Sequence, residues 1–212
     1  VPEKHTSSIK AAWTKVWKHR ADRLKIIIGS VIIFSIIVTL PIFFRHIEKR
    51  QGIVLHDWIL AHVPPHNVSV IIFIIIWGMG LLIIYRALYR PQIYILYCWS
   101  LIFLCILRLI TISIFALNPP VGLIPLADPL TGIFYGQAII TKDLFFSGHM
   151  VTVTLTYLCL EKKLDRVLGI ISIIAIAVLL VVQHIHYTID IVAAPVFTYA
   201  VYKLVRYMDT VI

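Results

Sequence analysis

Six long apolar runs constrain this chain more than any other feature. They cover about 26–44, 68–85, 94–117, 149–160, 167–185 and 189–207. A helix that crosses a bilayer needs roughly 17–25 such residues. The fourth run is short unless it borrows 144–146 before it, and Pro195 interrupts the sixth, where a kink or opened first turns are expected. Spans of such uneven length are a feature of bundles that carry a site. Unbroken stretches such as 71–76 and 170–182 lack the alternation of a barrel wall. The chain is 60% hydrophobic and 14% charged, with a mean hydropathy of +0.95. Soluble domains average about 45–50% apolar and about 25% charged, and 212 residues cannot bury the excess. A soluble monomer and a disordered chain are both excluded. The expected fold is an all-α integral membrane protein, a bundle of six transmembrane helices.

The charge distribution orients that bundle. Net charge is +9, but position matters more than the sum. Seven basic residues (Lys4, Lys10, Lys15, Lys18, Arg20, Arg23, Lys25) precede the first run. Arg86, Arg90, Lys162, Lys163, Arg166, Lys203 and Arg206 fall on the same side, against Arg45, Lys49, Arg50 and Lys142 on the other. This bias predicts cytoplasmic N- and C-termini. It is a membrane signature and implies no nucleic acid. Residues 1–25, with Ile9, Ala12, Trp13, Val16 and Trp17 at helical spacing between lysines, read as an interfacial amphipathic helix. Residues 26–207 are expected to form the six-span membrane domain and 208–212 a C-terminal tail. The 26–44 run is too long for a signal peptide and no cleavage pattern follows it. The first residue is Val1, which leaves room for a longer N-terminus upstream. Cys98, Cys105 and Cys159 lie in apolar runs and read as packing residues.

Polar groups inside an apolar bundle are costly and so mark function. Two clusters stand out: Lys142-Asp143 and Ser147-Gly148-His149 opening the fourth span, and His184-Ile185-His186-Tyr187-Thr188-Ile189-Asp190 between the fifth and sixth. One antiparallel helix pair brings both to the same membrane face. Gly148 permits a tight backbone turn, and a helix start offers N–H groups to an anion. His186 and Asp190 are spaced i, i+4, which sets a carboxylate beside an imidazole and fixes its tautomer. Two histidines and an aspartate at a membrane surface suit phosphoester cleavage. Arg108, well inside the third span, is expected to face the interior and pair with a carboxylate or with substrate phosphate. Asp57 is either a cover for the site or a helix cap. Asn118-Pro119-Pro120 and Ala127-Asp128-Pro129 supply the turns of the long outer connection.

Ser147-Gly148-His149 followed by a Thr-rich span, together with His186-Tyr187-Thr188-Ile189-Asp190, resembles the two C-terminal motifs of the sphingomyelin synthase family. That family is a branch of the type 2 phosphatidic acid phosphatase superfamily. The resemblance covers about residues 26–207, and Arg108-Leu109-Ile110-Thr111 resembles a third motif, with Cys105 where a tyrosine is usual. It implies metal-independent phosphoryl transfer without a cofactor, with His186 as nucleophile, Asp190 orienting it and His149 as acid and base. Ser147, Gly148, Arg108, Lys142, Asp143 and Tyr187 are then the residues expected around the substrate. The arginine usual in lipid phosphatases six residues before the second histidine is Leu180 here, which favours the synthase branch. Ile185 replaces the acidic residue usual between the synthase histidines, and Thr141-Lys142-Asp143 replaces a cysteine-glycine-aspartate.

The implied function is transfer of a phospho-headgroup from a glycerophospholipid donor to a ceramide-like lipid alcohol, on the exoplasmic (periplasmic or lumenal) face. A hydrolase of lipid phosphatase or phospholipase C type, with water as acceptor, is the alternative. A non-catalytic transporter or scaffold is disfavoured by the intact His-His-Asp set. The partners are membrane lipids, and a homo-oligomer is compatible with the sequence.

Overall fold

The computed structural model describes residues 9–126 and 140–211, with side chains to 209. The expected turn at Ala127-Asp128-Pro129 lies outside the described residues. Among the described residues eight helices follow in chain order: α1 (Ile9–Lys18), α2 (Arg20–Glu48), α3 (Trp58–His62), α4 (Ser69–Tyr89), α5 (Pro91–Ile114), α6 (Gly148–Cys159), α7 (Lys163–Gln183) and α8 (Thr188–Val211). Five of them, α2, α4, α5, α7 and α8, are long and apolar enough to cross a membrane. The chain is an integral membrane protein.

The expected fourth span is different. Residues 144–146 do not lengthen it, because the backbone turns non-helical up to Ser147 and the helix begins only at Gly148. At 12 residues it is about 18 Å long, well short of a hydrocarbon core of about 30 Å. It is nevertheless the centre of the bundle, packing against α4, α5, α7 and α8. Met150, Val151, Val153, Leu155 and Cys159 are buried there with Ile72, Leu104, Ile176 and Ala194 of the surrounding helices. Pro195 sits inside α8 without interrupting it, at the loss of one backbone bond near the helix start.

By contrast α2 is peripheral. It packs chiefly on α5, and most of its apolar side chains, Phe34 and Ile42 among them, face outward. Its 29 residues exceed the hydrocarbon core, so charged residues protrude at both ends: Arg20, Asp22 and Arg23 at one, Arg45 and Glu48 at the other. The amphipathic helix α1 ends at Lys18, an extended His19 breaks the chain, and α2 starts at once. Val16 of α1 is buried with Ile26 and Ile95, and Trp13 Nε1 donates to the Leu88 carbonyl at 2.9 Å.

Ion pairs level the helices at the end away from the candidate site. Arg86 forks onto Asp165 at 2.6 and 2.9 Å, Arg90 pairs with Glu161, and Lys25 meets Asp209 at 2.7 Å. The opposite end gathers the end of α2, all of α3, the starts of α4, α6 and α8, and the ends of α5 and α7. Two loops cross there, joined by an isolated parallel bridge between Ile53 and Leu117. Gly52 makes that crossing: a Cβ on it would lie 2.6–2.8 Å from backbone atoms of Ala116 and Leu117.

Candidate active site

The two polar clusters separated in sequence meet at this end. The rings of His149 and His186 lie 6.0 Å apart, inclined at 66°. Their loops are stitched by backbone: Ser147 N–H donates to the Asp190 carbonyl at 3.2 Å. His149 stands on the first turn of α6, where Ser147 is the helix cap and its hydroxyl accepts from Met150 N–H. His186 precedes α8 rather than lying on it. The helix begins at Thr188, so Asp190 reaches back from the first turn, with Oδ2 3.5 Å from His186 Nδ1 and 3.2 Å from Tyr187 N–H. Asp190 is fully buried and His186 is 3% exposed. The other Asp190 oxygen, Oδ1, has no hydrogen-bond partner among the described residues.

Arg108 organises the first cluster. Its Nη2 donates to Asp143 Oδ1 at 2.5 Å and its Nε to the Phe146 carbonyl at 2.9 Å. The pair accounts for a guanidinium within α5, where an isolated charge would be costly. Gly148 lets the guanidinium lie close: a Cβ on it would sit 2.7 Å from Arg108 Nη1, so a side chain there would have to displace the arginine head.

A cavity of about 310 Å³ opens beside these groups. Arg108, Asp143, Gly148 and His149 form its polar end, and Phe73, Trp77 and Leu101 are among its apolar walls from α4 and α5. The other three residues expected near substrate support the site from behind. Lys142 Nζ donates to the Arg50 carbonyl, Ser147 is buried, and Tyr187 OH donates to the Asn118 carbonyl at 2.8 Å while accepting from Leu55 N–H at 3.1 Å. Burial pushes the Tyr187 phenol above its ordinary value.

The end of α2 contributes unexpectedly. Glu48 accepts from the backbone N–H of Thr141 at 3.0 Å and of Lys142 at 3.2 Å, and from the Thr141 hydroxyl. Arg50 donates to the Ile112 and Ser113 carbonyls at 2.6 and 2.8 Å, satisfying the open end of α5. The charged run 45–50 was the only signal for this in the sequence, and it counted there toward orientation alone. Of the two roles considered for Asp57, the structure shows the helix cap. It caps α3 through Ile59 and Leu60 N–H, and it accepts Thr188 N–H and Oγ1–H at 2.6 and 3.0 Å. Burial acts to raise its carboxyl, yet these hydrogen bonds hold it below the ordinary value.

Residues 142–208 match the family model described as PAP2 superfamily C-terminal. The matched segment contains both histidine turns, α6, α7 and most of α8. This PAP2 match supports the superfamily, whose members are typically phosphatases and phosphotransferases, and hence an enzyme. No curated protein matches the chain. Arg108, Asp57, Glu48 and Arg50, which brace or line the PAP2 segment, all lie outside it.

Proposed function

We propose that the chain is a membrane lipid phosphotransferase of the sphingomyelin synthase type. In this reading a phospho-headgroup passes from a glycerophospholipid to a ceramide-like alcohol by way of a phosphohistidine. The observation that carries it is one arrangement: a half-buried histidine at the polar end of an apolar-walled cavity, backed by a second histidine that is buried against an aspartate.

Asp190 lies on the Nδ1 side of His186, which leaves Nε2 as the attacking atom. Nε2 forms a bond to phosphorus as the bond from phosphorus to the diacylglycerol oxygen breaks. Protonated His149 gives its proton to that oxygen. The acceptor hydroxyl then attacks phosphorus, yields its proton to His149, and the phosphorus–nitrogen bond breaks to restore His186. Arg108, paired with Asp143 at the cavity end, offers charge to the phosphate oxygens. Gly148 lets that guanidinium lie close, while Ser147, Lys142 and Tyr187 hold the two turns. The lipid tails lie along Phe73, Trp77 and Leu101.

The same reading has α6, with the non-helical segment before it, completing a sixth crossing. Both termini are then cytoplasmic and the site faces the exoplasmic side, in keeping with the charge bias. Single cysteines placed at Lys142 and at Lys163 should label from opposite sides, and labelling of position 142 from the cytoplasm would refute this orientation. The function is tested with purified protein and a phospholipid labelled in its headgroup phosphate, with and without ceramide. The expected label is in a new lipid that appears only with ceramide. Water-soluble phosphate product at the same rate in both samples would instead make the enzyme a hydrolase.

A further inference from the structure

The second histidine turn carries a group that this chemistry leaves unused. His184 is buried, 4% exposed, and both its ring nitrogens face backbone carbonyls: Nδ1 lies 3.0 Å from the Val121 oxygen and Nε2 2.8 Å from the Val63 oxygen. A carbonyl oxygen can only accept. A neutral imidazole has one N–H and one bare nitrogen, so it satisfies one of these oxygens and sets a lone pair against the other. The imidazolium, with two N–H groups, satisfies both. His184 is also the C-cap of α7 in the left-handed conformation (φ 55°), at the negative end of a 21-residue helix, where a cation is favoured. Gly122, at φ 82°, turns the facing loop around the ring: a Cβ on it would lie 3.3 Å from Nδ1.

The two carbonyls belong to different loops. Val63 lies between α3 and α4, and Val121 follows α5. His184 therefore ties both loops to the turn that carries His186 two residues later. Neighbouring bonds run the same way, from His66 N–H to the Val182 carbonyl at 2.9 Å and from Val68 N–H to Gln183 Oε1 at 2.8 Å. From this geometry we propose that His184 is a positioning residue held as an imidazolium, a proton-dependent clamp that locks the two loops onto the His186 turn. Loss of its proton breaks one of the two ties and loosens that turn.

Other titratable groups near the ring are few. His56, Asp57 and His62 from the first loop and Tyr187 from its own turn line the same cavity of about 600 Å³. His66 sits further along that loop, and His186 and Asp190 lie further along the turn. Residues 116–126 contribute no titratable group.

The kinetic consequence rests on the proposed transferase reading, but the charge state does not. Nitrogen NMR of full-length protein in nanodiscs, labelled at the histidine ring nitrogens and assigned by difference against His184→Gln, reads it directly. Two protonated nitrogens on His184 at neutral pH are expected, and a bare ring nitrogen there would overturn the proposal even if no transferase activity were found. The second arm is the rate from about pH 6 to 10, since a ring still protonated at neutral pH loses its proton above it. His184→Arg keeps a fixed cation with several donors, so one alkaline-side titration step should vanish from the profile of kcat. His184→Gln should be slow across the range. His56→Gln and His62→Gln should keep the wild-type profile. An unchanged profile in His184→Arg, or loss of the step in His56→Gln or His62→Gln, would remove the assignment to His184.

Discussion

The two histidine turns use similar residues and are built in opposite ways. His149 begins a helix, borders an apolar-walled cavity, and sits beside an arginine–aspartate pair that is itself partly exposed. His186 lies outside its helix, almost without exposure, against a buried carboxylate and under two loops. A proton-transfer group must exchange protons with incoming and leaving oxygens, so it benefits from access. A nucleophile must keep one tautomer and one orientation, so it benefits from confinement. The difference between the turns matches the two distinct roles proposed for them, and it can be broken experimentally.

The largest effect should come from the confined turn. His186→Ala removes the proposed nucleophile and should abolish both turnover and the acid-labile phosphoprotein trapped by rapid quench. Asp190→Asn keeps the shape but loses tautomer control, with a fall of about 10⁴-fold by analogy with serine protease triads. A trapped phosphoprotein of normal yield in His186→Ala would move the nucleophile elsewhere. The accessible turn should be more forgiving. His149→Ala removes a proton donor usually worth about 10²–10⁴-fold. Much of that should return with a p-nitrophenyl phosphoester, whose leaving group needs little protonation. If His186→Ala instead turns that substrate over and His149→Ala does not, the roles are reversed.

Gly148→Ala is a smaller perturbation, because it pushes on the Arg108 guanidinium that Asp143 and Phe146 hold. Overpacking should lower stability by about 1–3 kcal/mol, and displacement of the guanidinium should lower the rate with the fold kept. Wild-type kinetics would show that the guanidinium can move aside freely. Asp57→Ala should act on stability, by about 0.5–2 kcal/mol from the lost helix cap. Since its folded carboxyl is held below the unfolded value of about 3.9, its contribution is complete above about pH 4 and fades as pH falls through the lower folded value. Thermal melts of Asp57→Asn should lack that acid-side fade, and an identical acid limb would remove Asp57 from the account. The least effect belongs to the lipid-facing side of α2, where Phe34→Ala should shift stability by no more than about 0.5 kcal/mol.

Legibility in the sequence followed the same division. Hydropathy found α2, α4, α5, α7 and α8 because long apolar helices announce themselves whether or not they pack on anything. It located α6 as a short run close to its observed bounds, since a helix packed among others needs no lipid-matched length and can bury Thr154 and Thr156. The His149, His186 and Asp190 set was readable because such groups are costly in an apolar bundle. For Arg108 a carboxylate partner was legible in kind but not by number, since Asp143 reads as a substrate residue and the Phe146 carbonyl is set by a loop without periodicity. Glu48 and Arg50 were hidden for another reason. Charged residues at a span end look like ordinary interfacial residues until the loop they hold is known.

The shortness of α6 has a further consequence, one of depth. His149 lies level with Phe73, whose ring is 6.5 Å away, and with Arg108. These residues are four positions inside the start of α4 and six inside the end of α5, roughly 6–9 Å below the helix ends at a rise of 1.5 Å per residue. On the proposed function, a lipid phosphate reaching this histidine would pass below the helix ends toward the hydrocarbon, shedding much of its hydration as it goes. A second lipid alcohol already lives at that depth, whereas bulk water must come down past the loops above. Immersion of the reacting centre would bias the choice of acceptor before any side chain distinguishes one molecule from another.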